Sequence, residues 1–320
     1  MHATELRPLS LGELLDRAFS LYRHNFSLFV GIMAIPSALT VPVSVLFFLN
    51  QSAGASGARP TPANVAWIVF VVLTFLILSV VVYPMAMGAT TFAVSQSYLD
   101  QTITVREAYS KVRGQVGRIC AAVFMAWLRF AGMMILIMIG AGIIVAIIAA
   151  TVGVFARGGP RQILGGIVAV GIFLDYSAAL VVGAVWALRY AVCIPALLLE
   201  NLSSMASLRR SVQLTQKRRW HIFVAVVLAF LVAEVGVLVF QGPFLVTMMF
   251  TARAGQVPQW MPFAYAVSGA VGGAITGPLL IIVLVLLYYD TRIRKEAFDL
   301  QFMMSSLDRR APAQSSPSPA

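Results

Sequence analysis

Six long stretches of this chain are almost free of charge: Phe26–Leu49, Val65–Thr91, Ile119–Ala150, Ile163–Leu188, Ile222–Phe250 and Phe263–Tyr289. A helix needs about 20 apolar residues to cross a ~30 Å hydrocarbon core, whereas a barrel strand needs only about 9–11 and alternates in polarity. These runs are too long for strands and do not alternate. They predict an all-α polytopic membrane protein with six transmembrane helices, several of which must tilt or extend into the interface. Composition agrees. Only 11% of residues are charged, against about 25% in soluble domains, which leaves too few to cover a water-facing surface.

A shorter pattern recurs three times. A hydroxyl residue opens a short amphipathic helix, basic residues close it, and two apolar runs follow. The openings are Ser10 (with Glu13), Thr104 (with Glu107) and Ser204 (with Ser207). The first two are capping boxes, in which hydroxyl and acid satisfy amides at the helix start. Leu11, Leu14, Leu15, Ala18, Phe19 and Tyr22 form the apolar side of the first helix, and Val105, Ala108, Tyr109, Val112 and Val116 that of the second. Met205, Leu208 and Val212 mark a weaker third. Such helices lie at a membrane surface and bracket the spans. The expected architecture is one membrane domain over residues 1–307, built of three hairpin repeats at about 9–98, 103–200 and 203–300. A Pro/Ser/Ala-rich tail, 308–320, is expected to be disordered.

Orientation follows from positive charge. Seventeen of the 23 Lys and Arg residues fall at the N-terminus, the second and fourth loops and the C-terminus, and four (Arg59, Arg157, Arg161, Arg253) on the opposite side. That bias places both termini in the cytoplasm. The first 25 residues are too polar for a signal peptide's apolar region, so the first span itself is expected to direct insertion. The net charge of +11 is accounted for by cations beside apolar runs, where anionic headgroups attract them. Arg17, Arg23, Lys111, Arg113, Lys217, Arg218 and Arg219 are the candidate lipid contacts. Nothing in the chain matches a nucleic-acid-binding signature.

Charges at membrane depth are costly and therefore candidates for function. At about 1.5 Å per residue, Arg129 lies roughly 15 Å from the cytoplasmic side, Glu234 roughly 21 Å, and Asp175 roughly 20 Å from the outside. An Arg129 pair with Asp175 or Glu234 inside the bundle is expected, as a register-setting ion pair in preference to a proton or substrate path. Pro36, Pro42, Pro84, Pro243 and Pro278 allow either broken helices of the transporter kind or simple kinks. Gly269, Gly273 and Gly277 offer a small-residue stripe for close packing. At the chain's exit, Asp290–Arg294, Arg292–Glu296 and Lys295–Asp299 have i,i+4 spacing.

Catalytic signatures are missing. The three histidines, His2, His24 and His221, make no HExxH, and there is no phosphate loop, nucleophile elbow or catalytic carboxylate pair. Cys120 and Cys193 have no metal-ligand spacing and read as apolar filler. No cofactor, metal or enzymatic activity is expected.

Three segments carry a family resemblance: Leu6-Arg-Pro-Leu-Ser-Leu-Gly-Glu-Leu-Leu-Asp-Arg17 with Tyr22-Arg23, Leu208-Arg-Arg-Ser211 with Trp220, and Tyr288-Tyr-Asp-Thr-Arg-Ile-Arg-Lys-Glu-Ala-Phe-Asp299. Together they resemble the membrane domain attached to some bacterial glycerophosphodiester phosphodiesterases and its stand-alone relatives. In fused members hydrolysis belongs to a separate soluble barrel. The resemblance therefore implies a membrane module of the bacterial inner membrane without the catalytic part. The expected function is a non-enzymatic scaffold or lipid-associated accessory, with anionic lipid and a cytoplasmic or membrane protein as partners. The alternative is a small permease for a lipid or solute.

Overall fold

A computed structural model describes residues 10–54, 62–97, 101–155, 161–216, 219–253, 258 and 260–296. The tail, the connectors around Pro60 and Gly158–Pro160 expected on the outer side, and Lys217, Arg218 and Asp299 lie outside the described residues. Among those described, every regular element is helical: α1 Leu11–His24, α2 Phe26–Gly54, α3 Pro62–Ile77, α4 Tyr83–Ser97, α5 Val105–Arg113, α6 Val116–Phe155, α7 Arg161–Ala187, α8 Cys193–Leu199, α9 Ser204–Thr215, α10 Arg219–Arg253 and α11 Met261–Glu296. A π-helical turn, Leu78–Val82, joins α3 to α4, and a 3₁₀ turn, Leu188–Tyr190, follows α7. Among the described residues, six helical stretches are long and apolar enough to cross a membrane. By length and composition this is a multi-pass membrane protein.

The short helices begin where a hydroxyl caps them. Ser10 N–H donates to Glu13 Oε2 at 2.8 Å while Glu13 N–H donates back to the Ser10 hydroxyl at 3.4 Å. Thr104 and Glu107 repeat the exchange at 2.8 and 3.3 Å. The third helix starts one residue earlier than its sequence suggests. Its cap is Ser203, which accepts from Ala206 N–H, and Ser204 is already helical with its hydroxyl donating to the Arg118 carbonyl at 2.8 Å. The inner face of α9 is also not the expected apolar one. Ser207, Leu208, Ser211, Leu214 and Thr215 are buried while Met205 points outward. Hydroxyls can occupy that face because each finds a carbonyl: Ser207 bonds Ser204, Thr215 bonds Ser211, and Ser211 bonds Arg189 across to the 3₁₀ turn.

The helices continue through their prolines. α2 runs through Pro36 and Pro42, α10 through Pro243 and α11 through Pro278. Pro84 is accommodated by the π turn just ahead of it, where Tyr83 N–H reaches back to the Leu78 carbonyl. Widening the turn relieves the clash that a proline ring makes with the preceding turn. The fourth span is broken differently. It passes Leu188, where the sequence reading ended it, turns through the 3₁₀ segment, and resumes as α8.

The centre of the molecule is α11, packed between α2 and α10 with α4 and α1 alongside. Lipid tails are as apolar as leucine, so burial alone does not hold membrane helices together; close backbone approach does. A methyl added at Gly272 would sit 3.1 Å from the Val237 Cα of α10, and one at Gly277 3.1 Å from Met33 Cε of α2. A side chain at Gly269 would collide with Gln241. Gly31 and Gly88 do the same for α5, receiving Val105 and Val112. Outward, Phe75, Leu136, Phe173 and Val239 are more than 60% exposed, as lipid-facing side chains are.

Candidate functional site

A dense polar cluster forms where α8, α9 and α11 meet. Glu200 ends α8, and Asn201 turns the chain with a left-handed φ of 50°, a conformation asparagine tolerates better than most residues. The turn lays α9 back so that Arg210 meets the Glu200 carboxylate, with Nε 2.9 Å from Oε2 and 3.1 Å from Oε1. From α11, the Tyr288 hydroxyl donates to Oε1 at 2.8 Å. Arg292 Nε stands 3.9 Å from the same oxygen, and its Nη1 donates to the Tyr288 hydroxyl at 3.2 Å. Two guanidiniums and a phenol therefore converge on one carboxylate. Close by on α11, the buried Asp290 accepts from Arg294 Nε at 2.9 and 3.0 Å.

Further bonds fasten α9 in place. Arg118 Nη2 donates to Asn201 Oδ1 at 3.0 Å, and Lys295 Nζ to the Gln213 carbonyl. Beside the cluster lies an open cleft of about 390 Å³, lined by Glu200, Ser203, Met205, Arg209, Arg210 and Gln213 among others. Its carboxylate is already engaged by Arg210, Arg292 and Tyr288, so chemically the arrangement is an ionic lock between three helices. The described His, Cys, Asp and Glu residues form no group able to hold a metal ion.

Two other hydroxyls reach carbonyls beside helix-breaking prolines. The Tyr109 hydroxyl of α5 donates at 2.8 Å to the Ile32 carbonyl, the group that Pro36, lacking an N–H, leaves without its helical donor. The Tyr22 hydroxyl of α1 donates to the Ile275 carbonyl, three residues before Pro278. Burial pushes both phenols up to about 12. Glu107 is held below its ordinary value by its backbone and side-chain hydrogen bonds to Thr104.

Of the charges expected at membrane depth, Arg129 and Glu234 are both exposed, and no salt bridge joins them among the described residues. The Nη2 of Arg129 lies 3.2 Å from the sulfur of Met205 instead, a weak acceptor. The pairing of Arg129 with Glu234 inside the bundle is thus not formed, because each side chain points away from the packed core. Asp175 belongs to α7, with its side chain outside those described. Among the candidate lipid contacts, Arg23, Lys111 and Arg113 are exposed and Arg17 and Arg219 half-buried. Arg292 reaches Glu200 and Tyr288; the side chain of Glu296, its expected i,i+4 partner, lies outside those described. Glu200 and Tyr288 escaped the sequence reading as a pair. The available signal was that Glu200 is the sole acid between Asp175 and Glu234 and follows directly on an apolar run.

Comparison with protein-family models, with curated proteins and with solved structures finds no match to this chain.

Proposed function

We propose that this protein is a non-enzymatic module of the bacterial inner membrane, a scaffold or lipid-associated accessory whose basic face holds anionic headgroups. The observation that carries the reading is the middle of α11. From Leu279 to Leu287 every residue but the half-buried Leu280 is buried, and all are aliphatic. A helix sheathed in this way leaves the centre of the bundle filled with hydrocarbon, where a permease needs a polar, wettable path. Arg23, Lys111, Arg113 and Arg209 stand exposed, and each such cation near an anionic leaflet contributes about 1 kcal/mol of attraction.

Three-fold repetition of a bracket helix plus a hairpin fits the same reading. The second span of each unit carries a proline or a 3₁₀ turn twelve residues before a polar exit: Pro84 before Gln96, Leu188 before Glu200, Pro278 before Asp290. The resemblance to the membrane domain of glycerophosphodiester phosphodiesterases points the same way, to a membrane part that serves a function carried elsewhere. Thiol labelling tests it. In a Cys120→Ser/Cys193→Ser background held in lipid nanodiscs, which expose both faces to reagent, Val283→Cys should resist a membrane-impermeant maleimide while Arg113→Cys reacts. Rapid labelling of V283C establishes a water path and with it the permease.

A further inference from the structure

We propose that the protein associates laterally with a second copy of itself, Arg129 of one copy meeting Glu234 of the other within the membrane. The two side chains are the starting point. Glu234 lies in the apolar stretch of α10 and faces outward, framed by exposed Phe230, Leu231 and Leu238. None of its oxygens has a partner among the described residues. Arg129 lies in the apolar stretch of α6 and also faces outward, framed by exposed Leu128 and Leu136, with the Met205 sulfur as its one described contact. Ionisable groups at such depth ordinarily face a bundle interior or pair with one another. Within one copy these two do neither.

Depth and shape make them complementary. α6 starts beside α9, since Ser204 bonds the Arg118 carbonyl, and α10 follows α9 in the chain, so both helices leave from the same end of the bundle. Arg129 is thirteen residues into α6 and Glu234 fifteen into α10, or about 20 and about 22 Å along their axes. α6 packs chiefly on α7 and α10 chiefly on α11, which leaves the two outer faces on separate sides of contact. Next to Arg129 on the same face, Gly132 has open space around its Cα, room for a neighbouring helix to come close. The occupant follows from this match. Opposite charges, at one depth, on two unpartnered apolar faces of the same chain are both satisfied when one copy's α6 face seats against another copy's α10 face. Because the two faces are distinct, the contact is head-to-tail, and a closed ring of copies pairs both charges of every copy.

The test keeps both charges and cross-links beside them. In the cysteine-free background, a copy carrying Leu128→Cys and a differently tagged copy carrying Leu231→Cys are co-expressed at full length and treated with a short bis-maleimide in native membranes. A mixed dimer is expected, well above that from either variant alone. Absence of the mixed dimer, or a stronger Leu231→Cys self-dimer, overturns the proposal. Charge exchange supplies a second readout in lipid nanodiscs, with thermal melting to verify folding. Arg129→Glu or Glu234→Arg alone should weaken association about tenfold, what 1.4 kcal/mol of coupling amounts to, and the double exchange should restore it. Folded double variants that stay monomeric also overturn it. Because V283C labelling reports on the packed centre and this experiment on the lipid face, the two readings fail separately.

Discussion

Glu200 draws Arg210, Tyr288 and Arg292 together from two helices that are far apart in the chain, and its removal leaves two guanidiniums facing each other across a mostly buried junction. Glu200→Gln should therefore destabilise by about 1.5–3 kcal/mol, the range for hydrogen bonds to charged groups, and Tyr288→Phe by about 1 kcal/mol. Because the residues share one network, the double variant should lose less than the two losses added together, a coupling readable from melting in detergent. Strict additivity would mean the phenol and carboxylate do not act as a unit. A second residue-scale expectation concerns pH. Tyr22 and Tyr109 have phenols raised from 10.0 to about 12 by burial. Their neutral form is favoured in the folded state, so this contribution is complete below about pH 10 and is lost as pH climbs from about 10 through about 12. Melting temperature should decline across that window, and less steeply in Tyr22→Phe/Tyr109→Phe; an unchanged slope removes the two phenols from the account. None of these partnerships was visible in the sequence. Arg292 reaches Glu200, 92 positions earlier, a partner that only the tertiary fold brings near.

At the scale of elements, the sequence carried the caps and the lengths, since both are local. Ser10 with Glu13 and Thr104 with Glu107 stand where their spacing placed them. Ser204 misled by one position because two adjacent serines offer equal hydroxyls, and the second is used to hold the Arg118 carbonyl. The apolar stripe expected on α9 holds at Leu208 but not at Met205, and hydroxyls share the inner face because those that find carbonyl partners can be buried as readily as methyls. Prolines were legible as breaks but not their repair. Tyr109 supplies to Ile32 the bond that Pro36 cannot. Tyr109→Phe should then cost about 1–2 kcal/mol in thermal or urea unfolding, and much less in a Pro36→Ala background, where the restored backbone N–H can serve that carbonyl. Equal losses in both backgrounds would dissociate the tyrosine from the proline. Close packing gives a cleaner contrast. Gly272→Leu places its side chain against the Val237 backbone, whereas Gly140 has nothing within 4 Å. Leucine at the first position should lower the melting temperature sharply and at the second leave it nearly unchanged, since backbone cannot yield as a side-chain tip can.

Over the whole molecule, two patterns set at different scales agree: a hydrocarbon-filled middle and cations gathered where the spans end. The sequence displayed both, because hydropathy and charge are summed along the chain and need no tertiary contact to be read. What it concealed is which cations remain available. Arg210, Arg292 and Arg294 are engaged by carboxylates, while Arg23, Lys111, Arg113 and Arg209 are exposed. The headgroup-binding face proposed for the protein would depend on the second set, and the prediction separates it from the first. Replacing Arg23, Lys111, Arg113 and Arg209 together by Gln should leave melting in neutral detergent almost unchanged, because exposed charges contribute little to folding. It should also remove most of the anionic phospholipid that co-purifies, measured by native mass spectrometry against a zwitterionic lipid as reference. At about 1 kcal/mol per cation the attraction is electrostatic and declines as salt shortens the Debye length to about 3 Å at 1 M. Lipid retained by the variant at low salt, or lipid that survives high salt in the unaltered protein, would show that the exposed cations are not what holds it. The same four substitutions also test orientation. If the cytoplasmic excess of positive charge sets topology, a reporter inserted at Arg157 faces outward in the unaltered chain, and weakening that excess should produce a fraction of inverted molecules.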